Sequence, residues 1–183
     1  MWVKVVESGE FTLLLHNHNG IVVPMSYFFG DYSCKLDVKS RLTLPSALKQ
    51  QLPGAGKEPL MIARGFEKYL LIYTKKEWEL KLEELLKLNQ YERENQQFIR
   101  HFTRGATEIE PDAAGRVLLP KLLCDHAGID AQNANEIIIS CQINKIEVWE
   151  KSAYDAMLAN EPADFAALAE RVMGSKGKGN TNE

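Results

Sequence analysis

Hydrophobic and polar residues change over in short blocks along this chain, and turn-forming residues separate the blocks. That pattern predicts short strands and small helices. Tyr27 to Leu36 alternates and is rich in aromatics, predicting a strand. Asp37-Val38-Lys39-Ser40 predicts a turn, because an Asp side chain hydrogen-bonds its own backbone two residues on. Leu42 to Leu44 resumes as a strand. Pro45 then begins a helix, where its missing N–H has no partner to lose. Ala47, Leu48 and Leu52 give that helix an apolar side, and Pro53-Gly54-Ala55-Gly56 ends it. Leu60 to Ala63 and Tyr69 to Tyr73 flank Gly65-Phe66-Glu67-Lys68 and predict a hairpin. Thr74 with Glu77 predicts a capping box for a helix that carries Trp78, Leu82, Leu85 and Leu86 on one face and ends near Asn89. A second helix, about 90–103, carries Tyr91, Phe98, Ile99 and Phe102. These stripes read as core or subunit contact rather than a cofactor site.

The pattern then starts again. LDVKSRLTLP (Leu36 to Pro45) returns as PDAAGRVLLP (Pro111 to Pro120). Asp37 matches Asp112, Arg41 matches Arg116 and Pro45 matches Pro120, each at an offset of 75. The second copy predicts a strand at Thr107 to Ile109, a turn at Asp112 to Gly115, a strand at Val117 to Leu119 and a helix from Pro120 through His126, closed by Gly128. Glu136 to Ser140 and Lys145 to Trp149 predict the second hairpin, around Gln142 to Asn144. Lys151 and Tyr154 stand where Lys75 and Trp78 stood, now at offset 76, as one extra loop residue would give. Each copy spans about 45 residues and buries too little apolar surface to be stable alone. The two copies are therefore expected to interleave their strands.

The ends differ from this core. Residues 1–24 match nothing inside the repeat, and read either as translation upstream of a natural start at Met25 or as a weakly ordered arm. The tail after Gly174, SKGKGNTNE, is polar and Gly-rich and is expected to be disordered. The domain reading is therefore an N-terminal extension at 1–26, a first half at 31–78, connecting helices at 79–105, a second half at 106–149, C-terminal helices at 150–173 and a tail at 174–183.

Composition removes several function classes. With 22 basic and 25 acidic side chains the net charge is −3, so bulk charge does not advertise nucleic acid, although a few positioned cations on one face suffice to bind phosphate. Cys34, Cys124 and Cys141 are odd in number with no Cys-x-x-Cys, which fits free thiols in a reducing cytoplasm. His16 and His18 would share a strand face but lack a third metal ligand at a sensible spacing. No apolar run reaches the roughly 20 residues of a membrane helix, and the N-terminus lacks signal-peptide features. There is no Gly-x-Ser-x-Gly, framed phosphate loop or compact Cys/His arrangement, so catalysis, a cofactor and a small-molecule substrate are not expected.

The chemistry concentrates in the repeated turn. An Asp that only caps a turn and pairs with a surface Arg is the bland account of either copy. Duplication, and Lys39 beside Arg41, favour a further role: an Arg fork suits phosphate oxygens and guanine edges, and Lys is a point charge suited to phosphate. YFFGDYSCKLDVKSRLTLP, YLLIYTKKEW, FTRGATEIEPDAAGRVLLP and NKIEVWEKSAY, in that order over roughly Tyr27 to Leu158, resemble the MraZ family of bacterial transcriptional regulators.

The resemblance implies a mainly β fold with α (α+β): a tandem pseudo-symmetric swapped-hairpin barrel of the SpoVT-AbrB (AbrB/MazE) type with flanking helices. It implies a sequence-specific repressor of the cell-division and cell-wall gene cluster, its own promoter included. Its partners would be double-stranded DNA and further copies of itself in a ring, in the cytoplasm on the nucleoid. The family's Asp-x-x-Gly-Arg turn falls on Asp37 to Arg41 and Asp112 to Arg116. Lys39, Arg41 and Arg116 would then touch DNA, and Asp37, Ser40, Asp112 and Gly115 would support the turns. Ser40 replaces the family's Gly, at a cost if that position needs φ above zero. With Lys39 in one copy and Ala114 in the other, the first turn is expected to read DNA and the second to serve assembly more. A second function class, an antitoxin-like protein-binding module, would need an apolar tail; the tail here has little apolar content.

Overall fold

The computed structural model describes residues 2–7, 10–16, 22–24, 27–130, 132, 136–160 and 164–174, with the backbone alone before Tyr27. The expected tail beyond Gly174 and His18 of the histidine pair lie outside the described residues. Strands β1 (Trp2–Glu7), β2 (Glu10–His16) and β3 (Val22–Pro24) form a separate antiparallel sheet in that order.

The repeat builds two further sheets. Its first copy supplies β4 (Asp31–Lys35), β5 (Arg41–Thr43), α1 (Ser46–Gln51), β6 (Leu60–Arg64) and β7 (Tyr69–Thr74). Helices α2 (Lys75–Leu86) and α3 (Arg93–Thr103) follow. The second copy supplies β8 (Thr107–Ile109), β9 (Arg116–Leu118), α4 (Lys121–Ala127), β10 (Glu136–Gln142) and β11 (Lys145–Glu150). Six strands form one antiparallel sheet in the order β4-β10-β11-β7-β6-β8, and β5 pairs with β9 alone. First- and second-copy strands therefore interleave, as expected. Strand β4 rests on the second hairpin, β8 on the first, and the two hairpins meet at β7 and β11.

The pairing registers give the pseudo-symmetry a position. On the ribbon Leu42 faces Val117, its own repeat counterpart, and Arg41 faces Leu118 as Thr43 faces Arg116. The local two-fold relation passes between Leu42 and Val117, both fully buried. Leu44, Leu119, Leu48 and Leu123 complete the same matched set in the core. The 76-residue offset in the later part has a composite origin. Ile62 pairs with Thr107 and Ile139 with Tyr32. Tyr32 and Thr107 are 75 apart, whereas Ile62 and Ile139 are 77 apart. Two extra residues thus precede β10, and the second hairpin turn is one residue shorter.

Three expectations need correction. The closed barrel does not form: β4 and β8 are the open edges of the six-stranded sheet, leaving a mixed α+β fold. The long strand from Tyr27 is broken at Gly30, whose φ of 104° turns the chain. There the Gln51 side chain accepts from the Phe29 N–H (2.8 Å) and donates to its carbonyl (3.2 Å), occupying the groups a neighbouring strand would use. The capping box is half made. Thr74 Oγ1 accepts the Glu77 N–H (3.2 Å), but the Glu77 carboxylate instead accepts from Asn144 Nδ2 (3.1 Å) in the other half's hairpin.

The remaining helices follow the sequence closely. Pro45 and Pro120 are the N-cap residues of α1 and α4, and Gly128, at φ 69°, ends α4. Helix α2 stops at Leu86 and α3 starts at Arg93, later than expected, with Asn89 and Asn95 side chains filling the corner. Trp78 of α2 stacks on Phe102 of α3, with centroids 5.6 Å apart. The chain divides into two compact units, 1–151 and 152–183. The second contains most of α5 (Lys151–Ala159), which begins 76 residues after α2, and α6 (Phe165–Gly174). Among the described residues no helix is long and apolar enough to cross a membrane.

Because Leu42 is fully buried on the local two-fold, Leu42→Ala is expected to lower unfolding free energy by about 2–5 kcal/mol. Urea denaturation followed by circular dichroism measures it; a loss within experimental error would refute the central placement.

Candidate nucleic-acid interface

The β5–β9 ribbon carries both repeated turns. Each strand has three residues, and alternation sends their side chains to opposite faces. Leu42 and Val117 point into the core, so Arg41, Thr43, Arg116 and Leu118 share the outer face. Arg41 lies diagonally across from Arg116, at a Cα separation of roughly 7–8 Å for such a diagonal. The structure thus brings together two arginines that are 75 positions apart in sequence.

Each Arg is held by its own Asp through matching hydrogen bonds, and Arg116 Nη2 also lies 2.7 Å from Asp112 Oδ2. In the first turn, Asp37 Oδ1 accepts the backbone N–H groups of Lys39 (2.9 Å) and Arg41 (3.0 Å), and Oδ2 accepts Arg41 Nε–H (2.6 Å). In the second, Asp112 Oδ1 accepts from Ala114 (2.9 Å) and Arg116 (3.0 Å), and Oδ2 accepts Arg116 Nε–H (2.8 Å). The backbone closes each loop alike, with Ser40 N–H to Asp37 O and Gly115 N–H to Asp112 O. The next bonds cross between the halves: Leu44 N–H donates to Gly115 O (3.1 Å) and Leu119 N–H to Ser40 O (2.9 Å). Each turn is therefore tied to the strand of the other copy.

Ser40 takes up the glycine geometry. Its φ is 59° and that of Gly115 is 72°, so the hydrogen bonds of the two turns match despite the substitution. An L-residue pays for the left-handed region, and the pairing on both sides of Ser40 holds it there.

The Asp–Arg pairs are partly exposed, about a third of each side chain meeting solvent. Arg41 spends its Nε–H on Asp37 and has no further hydrogen-bond partner among the described residues, so its outer N–H groups remain available. The Arg116 side chain, then its backbone N–H, holds the Asp112 carboxyl down at about 2. Asp37 is lowered chiefly by the Arg41 backbone N–H and further by its side chain. Asp112 in turn raises the Arg116 guanidinium, with a contribution from Asp37. Both carboxylates therefore stay ionised at any physiological pH.

Lys39 and Val38 project outward at the tip of the first turn. Ala114 occupies the corresponding place in the second. A cation that the sequence did not single out stands beside that second turn: the Lys49 ammonium of α1 lies 2.9 Å from where a Cβ on Gly115 would be. Only the cross-half pairing places α1 next to Gly115, so its position in the sequence carried no signal. All three cysteines are free, and among the described residues no His/Cys/Asp/Glu group could hold a metal.

With the geometry established, comparison with known proteins is decisive. The profile of the family described as "MraZ protein, putative antitoxin-like" matches residues 27–101 and again 102–176. The chain belongs to the MraZ family. Proteins named transcriptional regulator MraZ are 41% identical in Christiangramia forsetii and 40% in Flavobacterium psychrophilum, each over 82% of this chain and 96% and 94% of theirs. The one from Cytophaga hutchinsonii is 33% identical over 81% of this chain and 96% of its own. The two family matches meet between His101 and Phe102 in α3, just ahead of the second copy of the turn.

Two outcomes follow from the turn geometry. Gly115→Ser, which copies the first turn into the second, is expected to cost about 1 kcal/mol from the positive φ and to displace the Lys49 side chain that a Cβ there would meet, read as a shift in denaturation midpoint. A carboxylate with a depressed pKa stabilises the fold above its unfolded value, and that contribution is lost as pH falls through the folded value. The Asp112 contribution is thus complete above about 4 and disappears toward about 2. Carboxyl NMR should show Asp112 titrating near about 2, and Arg116→Ala should move it up toward the ordinary 3.8.

Proposed function

We propose that the protein is a sequence-specific DNA-binding repressor that acts on the promoter of the cell-division and cell-wall gene cluster, its own gene included. The observation that carries this is the pair of Asp-held arginines on one exposed two-stranded ribbon. A major groove about 12 Å wide admits a two-stranded β-ribbon. Arg41 and Arg116 would enter it side by side, with Lys39 on a backbone phosphate. Asp37 and Asp112 fix the arginine rotamers before binding, which lowers the ordering cost at contact. The relatives' name, transcriptional regulator, supports the same reading.

The active form is a homo-oligomer, and the halves are of the swapped-hairpin type. One ribbon presents few cations on a chain of net charge −3, so joining several ribbons on repeated sites supplies affinity through effective concentration. Helices α2 and α3 support such assembly. Between them and the hairpins lies a groove of about 440 Å³ lined by Phe66, Tyr73, Leu85, Leu88, Phe98 and Phe102. Phe66 and Phe98 of its lining are exposed. Copies joined there form the ring, in the cytoplasm on the nucleoid.

Arg41→Ala is expected to abolish specific binding to DNA from upstream of the gene while leaving the melting temperature within a few degrees. Wild-type binding should weaken steeply with salt, since each phosphate contact releases counterions. Electrophoretic shift and footprinting measure both. Undiminished affinity of Arg41→Ala, or a stoichiometric small protein captured in place of DNA, would remove this reading.

A further inference from the structure

We infer that Lys49 makes the second turn a DNA-contacting unit in its own right, by reaching across from the first half to supply the phosphate contact that Ala114 lacks. The inference rests on the DNA-binding reading above, and concerns which residues make the contact.

The placement of Lys49 is built by both halves. Its backbone N–H donates to Pro45 O in the first turn of α1. A Cβ on Gly56 would come within 2.8 Å of Lys49 Cγ, and a Cβ on Gly115 within 2.9 Å of Nζ and 3.1 Å of Cδ. The stem therefore runs between two glycines, at φ 73° and 72°, that leave room for it. Gly115 is thus needed twice, for the turn and for the passage of this lysine. A stem already held loses less conformational freedom when its ammonium meets an anion.

The ammonium is not occupied elsewhere. Among the described residues Lys49 Nζ has no ion pair and no hydrogen bond, and Lys39 is likewise unpaired, whereas Lys121 is engaged by Asp125 at 3.0 Å. At the place equivalent to Lys49 the second half has Cys124, which with Asp125, Asp130 and the paired Lys121 lines a cavity beside Ser40. The first turn thus gains no free cation from the helix next to it and carries Lys39; the second carries Ala114 and gains Lys49. Each turn ends with one carboxylate, one guanidinium and one unpaired ammonium. An ammonium is a point charge suited to a backbone phosphate oxygen, while the planar guanidinium beside it suits a base edge. Both ends of the ribbon therefore engage DNA with the same charge set, contrary to the expectation that the second turn mainly serves assembly.

The test uses the full chain and duplex DNA from upstream of its gene, with the observed association constant measured over a range of salt. Lys49→Met keeps the stem and removes the charge. It should reduce the slope of log K against log salt by about 1 per engaged subunit, the same loss as Lys39→Met, with an unchanged melting temperature. Lys49→Arg should keep the slope. If Lys49→Met does not fold, Lys49→Gln gives the same comparison. A wild-type slope in Lys49→Met or its stand-in Lys49→Gln, in a protein whose Arg41→Ala variant no longer binds, overturns this inference alone. Undiminished binding by Arg41→Ala overturns the DNA-binding reading beneath it.

Discussion

The contact of Leu42 with Val117 is the constraint on which the rest depends. Two strands of three residues make too few hydrogen bonds to persist alone. This ribbon exists because its inner residues are buried beneath it and its ends are bonded across the halves, Leu44 to Gly115 and Leu119 to Ser40. Burying one residue from each copy at the local two-fold fixes the register. A slip of one position would turn the shifted strand over, sending Leu42 or Val117 outward and the neighbouring arginine of that strand into the core. The same pleat that buries the leucine and valine thus exposes the two arginines together. The buried packing and the exposed arginines occupy opposite faces of six residues.

The pseudo-symmetry is strict where this constraint acts and relaxed elsewhere. The turn hydrogen bonds repeat almost bond for bond, even with Ser40 forced to φ 59° in place of a glycine. Farther out, β10 begins two residues late and the second hairpin turn is shorter. Glu77 leaves its helix cap to bind Asn144, a residue of that shortened turn. The first hairpin's four-residue turn places Phe66 instead at the aromatic cluster with Phe98 and Phe102. Divergence has gathered at the hairpin tips and helices, where a change does not alter which face of the ribbon carries the arginines.

Much of this was legible in the sequence, because the repeat converts one uncertain pattern into two matched ones. The turns, the prolines at the helix starts, Gly128 and the burial of Leu42 and Leu44 all follow from local chemistry that neighbours in sequence determine. What was not legible is what depends on the other half. The strand from Tyr27 ends at Gly30 because Gln51, 21 residues later, occupies the backbone of Phe29. The open sheet edges depend on how far strands twist and splay, and periodicity does not encode that. Lys49 carries no local signal, since its neighbour Gly115 is far away in the chain.

Charge balance then explains how a chain with more acidic than basic residues can still present a locally cationic face. The carboxylates nearest the ribbon, Asp37 and Asp112, are spent on positioning: each accepts two backbone N–H groups and one guanidinium N–H. A carboxylate so engaged leaves the field of its arginine directed outward without cancelling the unpaired lysines beside it. Much of the remaining acidic surface lies on helices such as α2, where Glu84 is matched by Lys81. At physiological ionic strength charges more than about 8 Å away are largely screened. Under the proposed reading, a duplex would meet the local set on the ribbon, not the net −3 of the chain.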